Sequence, residues 1–274
     1  DNSEVERVVT TGNHMAYLKI AEGCDKRCSY CIIPKIRGRF RSVPMQELLN
    51  EAKRLASEGV KELVLVAQET TLYGKDLTGE KQLPLLLHEL CKIEGIEWIR
   101  LLYCYPEEIT DELIKVIKTE EKVCNYIDMP IQHSENRILQ RMGRRTSRED
   151  LVAVIKKLRK EIPDITIRTT LITGFPGESQ EDHEGLMNFV EECQFDRLGV
   201  FTYSPEEDTL AATFEDQIDE EVKEERRDEL MSLQQEISYE HTQQLVGKTI
   251  KVMVEGYLFE DDIYVGRSYM DAHK

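Results

Sequence analysis

Short apolar runs alternate along this chain with longer segments whose apolar residues return every third or fourth position. The short runs predict strands at 16–21, 62–68, 98–103, 125–130, 165–173 and 197–203. The run at 62–68 (Glu-Leu-Val-Leu-Val-Ala-Gln) is almost continuously apolar, which suits a strand buried on both faces. The longer segments predict helices at 44–58, 83–92, 107–118, 147–161 and 179–193. In the first of these, Met45, Leu48, Leu49, Ala52, Leu55 and Ala56 share a face, and Gly59 ends it. Ser147 with Asp150, and Ser179 with Asp182, are spaced as capping boxes. Strands alternating with helices imply a parallel sheet with right-handed crossovers. Six units fall short of the eight that close a full barrel, so the expected fold class is α/β, an incomplete (βα)6 TIM-like barrel. In such folds function collects at the C-terminal ends of the strands.

Residues 15–218 form this core. Residues 219–246 read as one long charged helix wrapping the barrel's outside, with Val222, Leu230, Leu233 and Ile237 as a sparse apolar stripe. Residues 247–256 and 263–270 alternate like a hairpin, turning at Glu260, Asp261 and Asp262. Two strands alone are marginally stable, so 247–274 reads as the start of a small, truncated β module. Residues 1–14 are polar and unpatterned, as in a linker. There is no internal repeat or low-complexity segment.

Composition adds limits. The 274 residues are 40% hydrophobic and 32% charged, as in a soluble globular protein. No apolar run nears the roughly 18 residues of a membrane span, and the polar start is not a signal peptide, so a cytoplasmic location with no membrane partner is expected. The net charge of −17 repels nucleic acid on average and suits a basic partner, although solubility alone also explains it. Seven cysteines, an odd number, fit reduced thiols and a metal site better than a disulfide scaffold.

Three of those cysteines, Cys24, Cys28 and Cys31, crowd the loop after the first strand as C-x3-C-x2-C. Random scatter of seven cysteines would give this spacing roughly 0.005 times. Close thiolates bind a metal or an iron–sulfur cluster. Three thiolates on a four-iron cubane leave one iron open to a small molecule, as in catalytic metal sites. A zinc knuckle would need a fourth ligand, and neither a second C-x2-C nor a His-x3-His is present. Cys91, Cys104, Cys124 and Cys193 are isolated and read as small buried hydrophobes, though one of them could complete a four-cysteine electron carrier.

Four further stretches follow strands. Gly174-Phe175-Pro176-Gly177-Glu178 offers a tight turn and a helix start with free N–H groups, or is simply a fold connection. In Pro130-Ile131-Gln132-His133-Ser134, Gln132 and Ser134 could bond a ribose or carboxylate, while His133 reads as a structural histidine. Gln68-Glu69-Thr70-Thr71 is a polar cluster where strand meets rim, with turn capping as an equal reading. Lys35-Ile36-Arg37-Gly38-Arg39-Phe40-Arg41 could grip a phosphate, a carboxylate or RNA, with Phe40 for stacking, or form a solvated loop.

The cysteine spacing on an α/β chain of six units resembles the radical S-adenosylmethionine superfamily. A-Y-L-K-I-A-E-G-C-D-K-R-C-S-Y-C-I-I-P, L-V-A-Q-E-T-T-L-Y-G, I-D-M-P-I-Q-H-S, T-G-F-P-G-E and F-T-Y-S-P-E-E-D-T are similar to its methylthiotransferase family. The A-Q-E-T-T stretch and the late Y-V-G-R-S-Y-M-D-A resemble the branch that modifies an aspartate of a small-subunit ribosomal protein. The branch that modifies a tRNA adenosine remains the alternative, and a non-catalytic iron–sulfur or zinc protein the third reading. The likeness covers residues 16–271. It implies a 4Fe–4S cluster on Cys24, Cys28 and Cys31, with S-adenosylmethionine on the open iron. A 5′-deoxyadenosyl radical would then take hydrogen from the aspartate β-carbon. It further implies Gln132, Ser134 and the turn Gly174, Phe175, Pro176, Gly177 and Glu178 as contacts to the cofactor's adenosine and methionine parts. Arg144 and Arg168 are candidates for its carboxylate. The implied partners are a basic ribosomal protein and an electron donor such as flavodoxin or ferredoxin, acting on a monomer. The family also has an N-terminal domain holding a second 4Fe–4S cluster, absent from this chain, and a complete RNA-binding-type (TRAM) module where this chain has only its start. The chain is therefore expected to be a catalytic core that does not complete sulfur insertion alone. Position 208 is Asp where the family commonly has Gly, so that turn is expected to differ.

Overall fold

The computed structural model describes residues 14–272, so the linker expected at 1–14 lies outside the described residues apart from His14. Six strands form one sheet: β1 Met15–Lys19, β2 Glu62–Val66, β3 Trp98–Leu101, β4 Val123–Asp128, β5 Thr166–Thr173 and β6 Arg197–Thr202. Every pairing is parallel and follows chain order, leaving β1 and β6 as the edges of an unclosed barrel. The crossovers carry α1 Met45–Ser57, α2 Leu83–Cys91, α3 Asp111–Thr119, α4 Asn136–Arg141, α5 Arg148–Glu161 and α6 Gln180–Cys193.

Strand periodicity sorts the side chains. Leu63, Leu65, Ile99, Leu101, Ile127, Ile167 and Leu171 join Leu48, Leu55, Leu86, Leu158 and Phe189 in the main core between sheet and helices. The alternate positions, Glu62, Arg100, Tyr126, Asp128 and Arg168, face the barrel interior, where Tyr126, Asp128 and Arg168 line a cavity of about 1150 Å³.

Helix starts follow local chemistry. Both capping boxes form: Ser147 and Ser179 each accept from the N–H of the aspartate three residues on, and each aspartate accepts the serine N–H in return. Such caps contribute about 1 kcal/mol each. The helix expected from 107 instead begins at Asp111, because Thr110 is extended and its Oγ1 accepts the Leu113 N–H at 3.2 Å. Residues Pro106–Glu108 form a separate 3-10 turn. Helix α4, with no capping side chain, was not expected.

Helix α7, Glu220–Gln243, packs against β6 and α6. Leu230 and Ile237 are buried as expected, but Lys223, Arg226 and Gln234 complete the stripe. Their polar ends find partners: Lys223 Nζ donates to Tyr203 O at 2.9 Å, and Gln234 Nε2 to Phe195 O at 2.7 Å. The hairpin is β7 Val252–Leu258 against β8 Ile263–Ser268, antiparallel with a bulge between Val265 and Gly266. The chain after it returns to the barrel base, where Tyr269 and Ala272 pack with Trp98, Cys124 and Tyr126.

Candidate cluster and cofactor site

The cysteine loop leaves β1 and is closed by a two-residue antiparallel pair, Ala21–Glu22 with Arg41–Ser42. Gly23 makes that closure possible. Its φ is +82°, and an added Cβ would lie 2.2 Å from Arg39 O. The Gly23 N–H donates to Gln68 Oε1 at 2.7 Å, and the Cys24 N–H to Gly38 O at 3.2 Å. On the other side, the Ser29 N–H and hydroxyl donate to Met142 O (2.9 Å) and Arg141 O (2.8 Å), and Ser29 O accepts the Ala211 N–H at 2.8 Å. The loop is thus clamped by β2, α4 and the segment after β6. Gly143 sits against it with φ +72°, where a Cβ would come within 2.7 Å of Arg27 O.

Cys24 and Cys28 are buried and Cys31 is half-buried. Burial pushes the Cys24 thiol up to about 11, and the nearness of Cys28, Glu69 and Cys31 adds to it. Burial likewise raises Cys31, with Cys28 contributing. The three sulfurs therefore sense one another, and a bound cation is what would hold them as thiolates. Among the described residues no three His, Cys, Asp or Glu side chains converge on a single ion. A cubane would spread its ligands over separate irons. Cys104, Cys124 and Cys193 are buried and Cys91 half-buried. Three cysteine thiols are donors of the kind an iron–sulfur cluster takes.

Around the thiols lie residues that pattern reading passed over. Tyr30, inside the cysteine motif, has its hydroxyl pushed well up by burial and by Cys28. Tyr105 follows β3 and carries the Arg144 guanidinium over its ring at 4.4 Å and Lys26 at 4.9 Å. Lys26, between the first two cysteines, is held by Glu108 at 2.8 Å, Glu107 at 3.1 Å and Glu69 at 3.8 Å. Burial raises Glu69 to about 7 despite Thr71 and Lys26. Glu108 is raised by burial, but Lys26 and Lys81 outweigh that and hold it down to about 2. The available signal was position alone: Tyr105–Glu108 follow a strand end directly.

Of the expected cofactor contacts, Arg144 lies with the cysteines. It is buried, its Nη2 donates to Pro130 O at 3.1 Å, and its Nε and Nη1 have no partner among the described residues. Arg168 has other neighbours: it pairs with Asp128 at 2.6 Å in the barrel cavity. Phe175 is buried with Met142, Ile138, Tyr203 and Ala211, and Tyr30 packs against this cluster, so the 174–178 turn and the cysteine loop share one apolar floor. Pro176 is buried beside it. Both glycines have packing reasons: a Cβ on Gly174 would meet Lys223 Cγ at 2.2 Å, and one on Gly177 the Asp216 carboxylate at 2.3 Å. The Glu178 carboxylate is engaged internally, accepting from Gly174 N (3.0 Å) and Arg226 Nη1 (2.8 Å) and facing His133 Nε2 at 3.2 Å. His133 Nδ1 accepts the Glu135 N–H at 3.0 Å, so this histidine is structural. Ser134 is buried, with its hydroxyl on Glu135 at 3.1 Å. Gln132 is half-exposed on the rim with φ +73°, its backbone bridging to Thr170 and Ile172.

The basic stretch differs from expectation in one respect. Phe40 is buried in the main core, where its ring cannot stack on a base. Asp208 holds φ +69°, a left-handed conformation that glycine adopts freely and aspartate tolerates.

The profile of the radical SAM superfamily matches residues 18–190. The chain is 63% identical over 272 residues to "Ribosomal protein uS12 methylthiotransferase RimO" of Lachnoclostridium phytofermentans, covering 98% of this chain and 62% of that protein. A protein of the same name from Clostridium perfringens is 57% identical, with 96% and 59% covered. The chain thus spans about three-fifths of the length of these curated relatives. Among solved structures, coproporphyrinogen III oxidase (HemN) from Escherichia coli, a radical SAM enzyme, superposes with a TM-score of 0.63 at 20% identity, over 82% of this chain and 53% of that one.

Proposed function

The chain belongs to the radical SAM superfamily, and on that premise we propose that it is the catalytic core of a methylthiotransferase acting on an aspartate of ribosomal protein uS12. The observation that carries this reading is the 63% identity across 98% of the chain to a relative bearing that name, together with three adjacent thiols on the rim. Cys24, Cys28 and Cys31 would hold a 4Fe–4S cluster through three of its irons, leaving the fourth for the amino and carboxylate groups of S-adenosylmethionine. When bound, this pair supplies an electron and a sulfonium whose cleavage yields a radical able to take hydrogen from an unactivated carbon.

The protein's own contributions follow from its geometry. Gly23 and Gly143 let backbone close on both sides of the loop and fix the spacing of the thiols. Phe175, Met142 and Tyr203 put apolar surface under the loop, which excludes water from a reactive intermediate. Arg144, buried beside Cys28 with two free nitrogens, supplies fixed positive charge and donors where a carboxylate or a reduced cluster would need them. Gln132 is half-exposed on the rim, where its side-chain amide could meet the cofactor. Glu178, tied to Gly174 and Arg226, positions the 174–178 turn.

Anaerobic reconstitution with iron and sulfide, then dithionite and S-adenosylmethionine, tests the core chemistry: 5′-deoxyadenosine should form, and Cys28→Ala should abolish it. Mass spectrometry of uS12 and of tRNA after reaction with the longer natural protein tests the substrate. A methylthio group on tRNA with uS12 unmodified would reject the uS12 assignment.

A further inference from the structure

The barrel cavity contains a cation with an unused edge. Arg168 and Arg197 stand opposite each other on β5 and β6, and both line the cavity. Arg197 is engaged on two sides, with Nε donating to Asp271 and Nη1 to Asp196 O, each at 2.8 Å. Arg168 is engaged on one. Its Nη1 donates to Asp128 Oδ1 at 2.6 Å, and its Nε and Nη2 have no partner among the described residues. Nη2 turns toward Gly199, where even an added Cβ would stand 3.9 Å away. Asp128 does not need a second cation, because its Oδ2 accepts the Tyr103 N–H at 3.1 Å. Tyr103 holds φ +59° while making that bond, a left-handed conformation that is costly for a bulky residue. The other acids lining the cavity, Asp228 and Asp271, are paired with Arg227 and Arg197. A second unused donor lies in the same lining. The Tyr126 hydroxyl, on the face of β4 that bears Asp128, is buried with no partner among the described residues. A hydroxyl buried in that way is costly unless something arrives to meet it.

We propose that Arg168, with the Tyr126 hydroxyl, grips the carboxylate of the substrate aspartate and so sets which side chain the enzyme accepts. The inference rests on the aspartate reading above. It moves Arg168 from the cofactor's carboxylate, for which Arg144 lies with the cysteines, to the substrate's. The strand register sets the depth. Lys19 pairs with Val66, Leu65 with Leu101, Leu101 with Ile127 and Asp128 with Arg168. Arg168 therefore stands level with the last residue of β1, where the chain turns into the cysteine loop. A guanidinium carries five donors in a planar fork. Asp128 takes one side and orients the fork, which leaves the other for a second carboxylate. Asparagine presents one oxygen and an amide donor, so it fits the same fork poorly. The carboxyl carbon of aspartate is bonded to its β-carbon, so holding the one fixes the other for hydrogen transfer.

The test is titration of the longer natural protein, reconstituted, with uS12 and with uS12 carrying asparagine at the target position. The unchanged enzyme should prefer the aspartate form by about 30-fold. Arg168→Gln should weaken binding of the aspartate form by about 30-fold and of the asparagine form by no more than about 3-fold. Asp128→Asn, which frees the guanidinium's other side, should tighten binding of the aspartate form by about 3-fold, whereas a purely structural pair would lose equally from either substitution. If Arg168→Gln melts early, Tyr126→Phe serves instead. It removes only the unpaired hydroxyl, and a loss of about 5-fold confined to the aspartate form is expected. Equal losses for both forms of uS12, an aspartate preference that survives Arg168→Gln, or a loss from Asp128→Asn as large as that from Arg168→Gln would overturn the proposal. So would weakened S-adenosylmethionine binding in Arg168→Gln with the aspartate preference kept, which would return this arginine to the cofactor. Failure of the unchanged enzyme to bind either form would instead reject the uS12 reading, and the proposal with it.

Discussion

At the base of the barrel, Glu62 takes Arg100 on one oxygen at 2.7 Å and Arg267 on the other, and Arg267 goes on to Glu255 at 2.6 Å. At the rim, Arg144 is also buried, yet it meets one carbonyl and one ring, and two of its nitrogens, against one of Arg100's, have no partner among the described residues. Both regions place charge inside a low-dielectric interior. At the base two acids and two bases balance within the chain, and residues from the C-terminal hairpin seal them in. At the rim an unmatched cation stands beside three thiols, two of which, Cys24 and Cys31, burial keeps from ionising. An uncompensated buried group costs several kcal/mol unless something arrives to match it. The difference separates a part of the molecule built to hold itself together from a part built to hold something else.

The largest expected effect breaks the rim alone. Cys28→Ala should reduce 5′-deoxyadenosine formation by at least about 1000-fold and shift the unfolding free energy by no more than about 1 kcal/mol, because a small buried side chain is lost. Retained cleavage would contradict the ligand assignment. Next comes the base. Arg100→Ala should cost about 3–5 kcal/mol in denaturant unfolding by removing one of the two cations that match buried Glu62, while iron bound per folded chain stays unchanged. A loss of iron without loss of stability would reverse the roles assigned to the two ends. Gly23→Ala combines both readouts: a strained positive φ and a clash with Arg39 O should cost about 2 kcal/mol and lower iron retention, measured by melting and by iron assay.

A pH series separates the acids around Lys26. Glu69 has its pKa raised to about 7, so the folded state favours its protonated form. Its contribution to stability is full below the unfolded value near 4.5 and declines as pH rises through about 7, by roughly 3 kcal/mol at most. Glu108, held at about 2, has the opposite sign: its contribution is present above 4.5 and lost as pH falls toward 2. Glu69→Gln, followed by urea unfolding of iron-free protein from pH 5 to 8, should remove the decline; an unaltered pH profile would contradict it. The smallest effect expected is from Asp208→Gly, which relieves a left-handed φ but loosens the unfolded chain, for a net change within about 1 kcal/mol.

The strands and helices of the core were legible because burial imposes a period, and that period is a local property. Glu-Leu-Val-Leu-Val at β2 and the two capping boxes needed no knowledge of the rest of the chain. The cysteine triplet was legible for the same reason, with all three residues inside one loop. Contacts between distant segments were not. Arg267 meets Glu62 across more than 200 positions, and nothing in β8 marks it as the seal of the barrel base. Lys223 and Arg226 look like surface charges by type, yet they are buried because carbonyl and carboxylate partners wait just after β6 and on the 174–178 turn. Phe40 was placed in solvent for stacking because its neighbours are basic; its burial depends on the loop folding back on β1. Glu69 could be seen as polar at a strand end, but its Lys26 partner could not.

The claim on which the rest depends is that the three rim thiols share one cluster with an iron open to S-adenosylmethionine. Electron paramagnetic resonance of the dithionite-reduced, reconstituted chain, with iron and sulfide counted on the same sample, tests it most directly. The expected result is about four irons and four sulfides per chain, with a signal that changes when S-adenosylmethionine is added. Stoichiometric zinc in place of iron, or a cluster signal indifferent to S-adenosylmethionine, would contradict it.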